Sequence, residues 1–148
     1  MPQKKEVELT EIIKNTLLLF EQEFIAKNIE VDFKITDNHK VNADKQQIEQ
    51  VLINLISNCL HAFKEIVNGN IKINISSNNN RTHVSIIDNG IGISEEIKDN
   101  VFIPYFTTRK NGSGISLTLS KSIMEAHNGA IQFTSSKGKT TFMLTFIS

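Results

Sequence analysis

Two alternating runs joined by a polar turn constrain the fold of this chain more than any other feature. Isoleucines alternate with polar residues over residues 71–75, and the alternation resumes over residues 82–87 after the asparagine turn at 78–80. Such alternation predicts two strands of an antiparallel hairpin, each with one buried face. The second run ends in Asp-Asn-Gly-Ile-Gly-Ile at residues 88–93, so a carboxylate and two glycines follow a buried strand directly.

The segments around this hairpin add three helices and three more strands. The predicted helices span residues 7–27, 44–63 and 115–127. The further predicted strands span residues 29–35, 131–135 and 140–147. Asp44 is a good N-cap, with Gln47 in capping-box position, and Asn128-Gly129 is a good stop signal for the last helix. This order predicts an α+β fold, a two-layer α/β sandwich with a mixed, mainly antiparallel sheet and helices on one face.

The bulk composition indicates an ordinary soluble domain. The formal net charge is zero, with 16 basic and 16 acidic residues, so a nucleic-acid or acidic-membrane binder is not favoured. Cys59 is the single cysteine, which excludes a disulfide framework and a cysteine zinc cluster and suits a reducing compartment. No apolar run approaches the ~18 residues that span a bilayer. We therefore expect a cytoplasmic chain without membrane contact.

The second predicted helix carries two asparagines on one face, and their presence within a helix has to be explained. Asn54 and Asn58 are four residues apart, and His61 lies about one turn further along. Asparagine is a mediocre helix former because its amide competes for backbone hydrogen bonds. An amide oxygen is an acceptable ligand for Mg²⁺, which keeps several waters and also binds substrate phosphates. The pair indicates either a magnesium site or two amides that are satisfied elsewhere.

The sequence Asp-Asn-Gly-Ile-Gly that ends the hairpin allows two interpretations. A carboxylate at the end of a buried strand is costly unless it accepts a hydrogen bond, and the exocyclic amine of adenine is a suitable donor. Glycines at 90 and 92 would let the backbone approach a flat ligand closely. Asp-Asn-Gly is also strong turn chemistry in any protein. The stretch is therefore either a purine contact at Asp88 or a plain turn.

A third polar segment, residues 107–114, precedes the last predicted helix and contains Gly112 and Gly114. Helix N-termini present free N–H groups to phosphates, and Arg109 and Lys110 add two cations. The alternative is a surface loop with solvated charges. The segment matches neither the phosphate-loop pattern nor the six-residue dinucleotide fingerprint, because position 117 is Leu117. Order and spacing of the three constellations nevertheless fit one ligand, made of adenine, phosphates and magnesium.

With these three polar segments in this order along the sequence, the chain resembles the catalytic ATP-binding domain of bacterial sensor histidine kinases. That domain belongs to the superfamily shared with gyrase, HSP90 and MutL. Residues 44–58 resemble the N box, and residues 88–93 resemble the G1 box. Residues 101–109 resemble the F box and the start of a short ATP lid, and residues 112–117 resemble the G2 box. The resemblance covers residues 7–147 and implies the Bergerat, or GHKL, ATPase fold as a single catalytic domain over residues 1–148.

The resemblance implies ATP and Mg²⁺ as cofactors, with Asp88 reading adenine and Asn58 binding the metal. Thr140 resembles a threonine that helps to hold adenine through water, and His127 falls at a structural position on the helix after the lid. His61 stands where the family often has a lysine near the phosphates. The positions implied in nucleotide binding are Asn54, Asn58, His61, Asp88, Gly90, Gly92, Ile93, Phe106, Thr107, Thr108, Arg109, Gly112, Ser113, Gly114, Ile115 and Thr140.

Three departures from the family pattern bear on activity. Cys59 stands where alanine is common, a small-for-small exchange with little expected consequence. Ser116 replaces the usual third glycine of the G2 box and could alter lid closure. Asn54 stands where gyrase-like ATPases and anti-sigma serine kinases carry a glutamate general base. Because an amide cannot take that proton, Asn54 favours transfer to an imidazole nucleophile, which needs less activation than water or a hydroxyl.

The phosphoacceptor histidine is expected on another domain. In the family it lies on a helical hairpin that precedes the ATP-binding domain, and there is no room for one before the first predicted helix. We therefore expect no catalytic residue in this chain, a monomer in isolation, the hairpin domain as partner and a response regulator as indirect partner. The alternatives are a free-standing serine kinase of the anti-sigma type and a nucleotide-binding regulatory module without transfer activity.

Overall fold

Helices and strands are interspersed along the chain. The computed structural model describes residues 2–34, 39–63, 69–90, 117–136 and 138–147. The strands are β1 (Lys5–Glu8), β2 (Glu30–Phe33), β3 (Lys40–Ala43), β4 (Asn70–Asn78), β5 (Arg81–Asp88), β6 (Ala130–Ser136) and β7 (Lys139–Ile147). The helices are α1 (Leu9–Leu19), α2 (Glu21–Lys27), α3 (Lys45–Ala62) and α4 (Thr118–Ala126). None of these helices is both long and apolar enough to cross a membrane.

Within the described residues, five strands form one sheet in the order β2-β4-β5-β7-β6. β2 runs parallel to β4, and the other neighbours in this sheet are antiparallel. β1 and β3 form a separate antiparallel pair in which Val7 lies opposite Val41. The predicted mixed, mainly antiparallel sheet is confirmed, whereas the pair β1–β3 was not predicted.

The core lies on one face of the five-stranded sheet. Every second residue of β5 and β7 is buried, from Thr82 to Asp88 and from Thr140 to Phe146. The apolar members of this set join buried side chains of α1, α3 and α4 in a single cluster. Each fully buried leucine, isoleucine or phenylalanine contributes roughly 1.5–3 kcal/mol. The alternate residues of β5 and β7 are half-buried or exposed, so the helices cover one face, as predicted.

The hairpin predicted from the alternating runs is confirmed. β4 and β5 pair in antiparallel register around a turn at Asn79 and Asn80, whose φ angles are 49° and 66°. Tight hairpin turns need positive φ at their two central positions, and asparagine tolerates positive φ better than most residues. The asparagines therefore set the register that places Asp88 opposite Ile71 at the far end of the hairpin.

The predicted first helix is wrong at its start and in its middle. Its first residues belong to β1, and Glu8 caps α1 by accepting the N–H groups of Thr10 and Glu11. The helix also breaks at Phe20, whose N–H donates to the Leu17 carbonyl 3.1 Å away. The helical spacing of apolar residues continues across this break because Phe24 of α2 still packs into the same core.

Candidate functional site

Asp88 ends β5, and two more polar side chains continue its rung across the sheet. Asp88 lies opposite Thr140 of β7, and Thr140 lies opposite Ser135 of β6. Asp88 is 2% exposed and Thr140 is 3% exposed, whereas Ser135 is half-buried. The Oγ atom of Ser135 and the Oγ1 atom of Thr140 are 2.9 Å apart. We call these three residues the polar rung.

The carboxylate of Asp88 is buried, and hydrogen bonds from neighbouring groups offset only part of the free-energy cost of burying its charge. Its Oδ1 atom accepts the Gly90 N–H at 2.9 Å. Burial raises the pKa of Asp88, and the Gly90 N–H and the Cys59 thiol hold the pKa below what burial alone would give. A carboxylate has about four acceptor positions. Asp88 therefore has the capacity to accept a further hydrogen bond from a ligand amine.

Cys59 approaches Asp88 from the helix layer. The Cys59 side chain on α3 is 1% exposed, and its thiol donates a hydrogen bond to the Asp88 carboxylate. Burial, the charge of Asp88 and this hydrogen bond raise the pKa of Cys59 well above its usual value. The thiol therefore stays protonated near neutral pH and serves as a donor that alanine would lack. The prediction that this cysteine has little consequence stays untested.

Asn89 fastens the turn after β5 to the start of β4. Its N–H donates to the Asn70 carbonyl at 3.2 Å, and its Oδ1 atom accepts the Asn70 N–H at 2.7 Å. These two hydrogen bonds hold the backbone on either side of the turn. The buried Gly90 follows directly, so the exit of the chain from Asp88 is defined.

Helix α3 carries the two asparagines, and Asp44 sets where the helix begins. The Asp44 carboxylate accepts the Gln47 N–H at 3.3 Å, so the predicted N-cap is confirmed. The buried Nδ2 atom of Asn58 has no hydrogen-bond partner within the described part of the chain. Leaving such an atom unpaired costs roughly 1–3 kcal/mol, which a ligand contact would recover. Because a half-turn of the amide exchanges oxygen and nitrogen, Asn58 also fits an oxygen ligand for Mg²⁺.

Asn54 is oriented by a contact with α4. Its Nδ2 atom donates to the Oγ atom of Ser120 at 3.1 Å, and Ser120 is 1% exposed. The amide nitrogen thus faces α4. An amide has no basic nitrogen, so Asn54 cannot act as a general base in this arrangement.

His127 joins the end of α4 to the start of α3, so the prediction that it is structural is confirmed. Its Nδ1 atom donates to the Ile123 carbonyl at 2.8 Å, and its Nε2 atom accepts the Asp44 N–H at 3.0 Å. The ring is 5% exposed. A single proton on Nδ1 satisfies both partners, because a carbonyl only accepts and an N–H only donates. Together with the contact of Asn54 and Ser120, this bridge ties α3 to α4 at two places.

The structure brings some of the predicted site residues together. Asp88, Gly90 and Thr140 meet at one end of the sheet, Asn54 and Asn58 share α3, and His61 is exposed near the end of that helix. The remaining predicted positions lie outside the described residues. They are Gly92, Ile93, Phe106, Thr107, Thr108, Arg109, Gly112, Ser113, Gly114 and Ile115.

Two polar residues of this region, Ser120 and Ser135, were not singled out from the sequence, and Asn89 was singled out only as part of the Asp-Asn-Gly turn. Asn89 and Ser120 contact partners 19 and 66 residues away, so no local pattern identifies these contacts. Ser135 could have been found. The predicted strands over residues 131–135 and 140–147 flank a short turn, and their pairing would place residue 135 opposite Thr140.

Sequence comparison places this arrangement in a known family. The profile of the family described as "Histidine kinase-, DNA gyrase B-, and HSP90-like ATPase" matches residues 43–147. Sensor histidine kinase ZraS of Escherichia coli (strain K12) is 34% identical over 140 residues, which are 93% of this chain and 30% of that protein. Signal transduction histidine-protein kinase AtoS of the same strain is 32% identical over 139 residues, or 92% of this chain and 22% of that protein. The chain thus spans a third or less of each relative.

Solved structures agree with the sequence relatives. The catalytic domain of histidine kinase ThkA superposes with a TM-score of 0.88 at 33% identity, covering 98% of this chain and 95% of that domain. ThkA in complex with the response regulator protein TrrA gives a TM-score of 0.83 at 33% identity, covering 99% of this chain and 42% of that one. The chain therefore belongs to the histidine kinase-, DNA gyrase B- and HSP90-like ATPase family, as an ATP-binding catalytic domain of the sensor histidine kinase type.

Proposed function

We propose that residues 1–148 act as one catalytic domain that binds Mg-ATP and donates the γ-phosphoryl group to a histidine on a separate helical hairpin domain. The polar rung carries this proposal. A buried carboxylate and a buried hydroxyl lie side by side at the end of the sheet, and the Cys59 that contacts Asp88 is next in sequence to Asn58. The rung would supply base recognition, and Asn58, whose Nδ2 atom has no hydrogen-bond partner among the described residues, would supply a position for the metal.

Each residue has a distinct role in this proposal. Asp88 accepts a hydrogen bond from the exocyclic amine of adenine, Thr140 contacts the base through water, and the turn at Gly90 shapes the pocket. Asn58 would hold Mg²⁺, which would supply positive charge to the phosphates. The lid at residues 107–114, with Arg109 or Lys110, steadies the γ-phosphate for in-line attack. Positioning and charge neutralisation are sufficient for phosphoryl transfer, which requires little covalent chemistry from the donor domain.

Asn54 favours histidine over water or serine as the acceptor. Its amide nitrogen is committed to Ser120, and its oxygen is too weakly basic to accept a proton from a hydroxyl. An imidazole nucleophile does not need that base. The complex of ThkA with a response regulator supports a place for this chain in two-component signalling, with a response regulator as an indirect partner. A cytoplasmic location belongs to the same proposal.

Transfer to a supplied acceptor tests the proposal. Purified chain, Mg²⁺ and γ-labelled ATP would be mixed with the helical hairpin domain of a relative such as ZraS, with and without its acceptor histidine. We expect label on the hairpin that is acid-labile and alkali-stable, as phosphohistidine is. Asn58→Ala should abolish the transfer, and Asn74→Ala, at an exposed position of β4, should not.

The same experiment separates the alternatives. Acid-stable label on a serine would favour the serine kinase. Nucleotide binding without transfer to any hairpin domain would favour the regulatory module, and steady phosphate release without an acceptor would indicate a plain ATPase.

A further inference from the structure

We propose that Ser135 is a positioning residue that sets the direction of the Thr140 hydroxyl and thereby makes the pocket select adenine over hypoxanthine. This inference rests on the proposed nucleotide site, and it adds a specificity determinant to it. Neither the sequence motifs nor the comparisons assign a role to Ser135.

The geometry leaves the Thr140 hydroxyl few choices. The Oγ1 atom of Thr140 is buried and carries one hydrogen and two lone pairs. Within the described residues, its hydrogen-bond partner is the Ser135 Oγ atom, 2.9 Å away on the neighbouring strand. One of these two hydroxyls must donate to the other. If Ser135 donates, the Thr140 hydrogen is available to a ligand, whereas if Thr140 donates, only a lone pair is available.

The base that faces the rung determines which arrangement is useful. Adenine presents a donor at the 6-amino group and an acceptor at N1. Hypoxanthine presents the reverse, an acceptor at O6 and a donor at N1. Ionised Asp88 only accepts, so it matches the amino group of adenine. A Thr140 hydroxyl that donates, directly or through one water, matches N1 of adenine and opposes N1–H of hypoxanthine.

Either hydroxyl of the Ser135 and Thr140 pair can be the donor, and only one direction of the hydrogen bonds along the rung matches adenine. Ser135 donates to Thr140, Thr140 donates towards the base, and Asp88 accepts from the base. Without the Ser135 hydroxyl, the Thr140 hydroxyl would be free to rotate and could accept from N1–H as readily as it donates to N1. The preference for adenine over hypoxanthine would then depend on Asp88 alone. A site rejects an analogue most strongly when each of its buried polar groups is fixed as a donor or as an acceptor.

Calorimetric titration with Mg-ADP and Mg-IDP tests this inference, because the two ligands differ only at the 6-position and N1. We expect the wild-type chain to prefer ADP, and Ser135→Ala to weaken ADP binding by about fivefold, the loss of one hydrogen bond. IDP binding should stay the same or become tighter, so the ADP-to-IDP preference should shrink by about fivefold or more. Ser135→Thr keeps the hydroxyl on the strand and should restore the preference.

Ser136→Ala is the matched control, because Ser136 is the next residue of β6 and is exposed. Thermal melting of each variant without ligand would show that the strand is intact. Equal weakening of ADP and IDP by Ser135→Ala, or an unchanged preference, would overturn the inference while leaving the nucleotide site in place. Failure of the wild-type chain to bind ADP at all would instead refute the proposed function itself.

Discussion

Asp88 and Thr140 lie directly opposite each other on the antiparallel strands β5 and β7, and both side chains are almost completely buried. In most sheets such a pair would be apolar, as the next buried pair of the same strands is, with Ile86 opposite Phe142. The core of this sheet thus changes from apolar to polar at its last rung. The proposed contact with adenine would account for that change, because a base needs directed polar groups within an otherwise apolar pocket.

Nucleotide affinity should fall on acidification. Burial raises the pKa of Asp88, so the carboxylate loses its ability to accept from adenine at a higher pH than an exposed aspartate would. Cys59→Ala removes a donor that stabilises the ionised form, so it should move the midpoint of the affinity profile to higher pH. Cys59→Ser should leave the midpoint nearer that of the wild type. The measurement is the Kd for Mg-ADP from about pH 5 to pH 8, and a midpoint unmoved by Cys59→Ala would contradict the role given to the thiol.

Asp88→Asn should leave the ligand-free chain as stable as the wild type or make it more stable. Since the folded-state pKa of Asp88 is raised, ionised Asp88 subtracts stability at pH values above that pKa. The penalty disappears as the pH falls below the pKa of the unfolded chain. The variant's advantage in urea unfolding should therefore be present near neutral pH and shrink on acidification. A large loss of stability at neutral pH would mean that the carboxylate has a structural role.

His127→Ala should destabilise the fold by about 2–4 kcal/mol. The substitution removes one buried and one partly buried hydrogen bond, leaves the Asp44 N–H without its partner and creates a cavity between α3 and α4. His83→Ala is the matched control, because His83 is half-buried and makes a side-chain hydrogen bond to Thr145. The control should cost about 1 kcal/mol or less. Equal costs in denaturant unfolding would show that the bridge from α4 to α3 contributes little.

Gly129→Ala should cost about 1–3 kcal/mol, because the added Cβ atom would collide with the Thr145 carbonyl oxygen of β7. Gly129→Asn should be at least as costly, since the collision involves Cβ itself. Gly138 is the contrasting position. It has open space around it and a φ of 83°, so Gly138→Asn should be mild because asparagine tolerates positive φ. Similar losses of melting temperature for the two asparagine variants would contradict this distinction.

The sequence predicted those parts of the fold that depend on interactions between residues close together in the chain. Asp44 caps α3 through the Gln47 N–H, and the asparagine turn closes the hairpin of β4 and β5. The break at Phe20 was missed because the apolar spacing on either side faces the same core. β1 and β3 were missed because they are short, have exposed polar residues and are defined only by pairing across more than 30 positions.

The candidate site shows the same division. The end of β5 at Asp88 and the asparagines of α3 follow from residue type and spacing, and their family pattern indicates nucleotide binding. The residues that orient these side chains cannot be identified from residue type and spacing. Ser120 reaches Asn54 and Cys59 reaches Asp88 only once the helices pack on each other and on the sheet, so these contacts belong to tertiary structure.

The most direct test of the nucleotide site is a calorimetric titration of Mg-ADP into the wild-type chain, Asp88→Asn and Asp32→Asn. Asp32 lies on the edge strand β2, away from the polar rung, and serves as the matched control. We predict saturable binding by the wild type and by Asp32→Asn, and no measurable binding by a folded Asp88→Asn. Unchanged affinity of Asp88→Asn would contradict the assignment of Asp88 to adenine, and with it the proposed site.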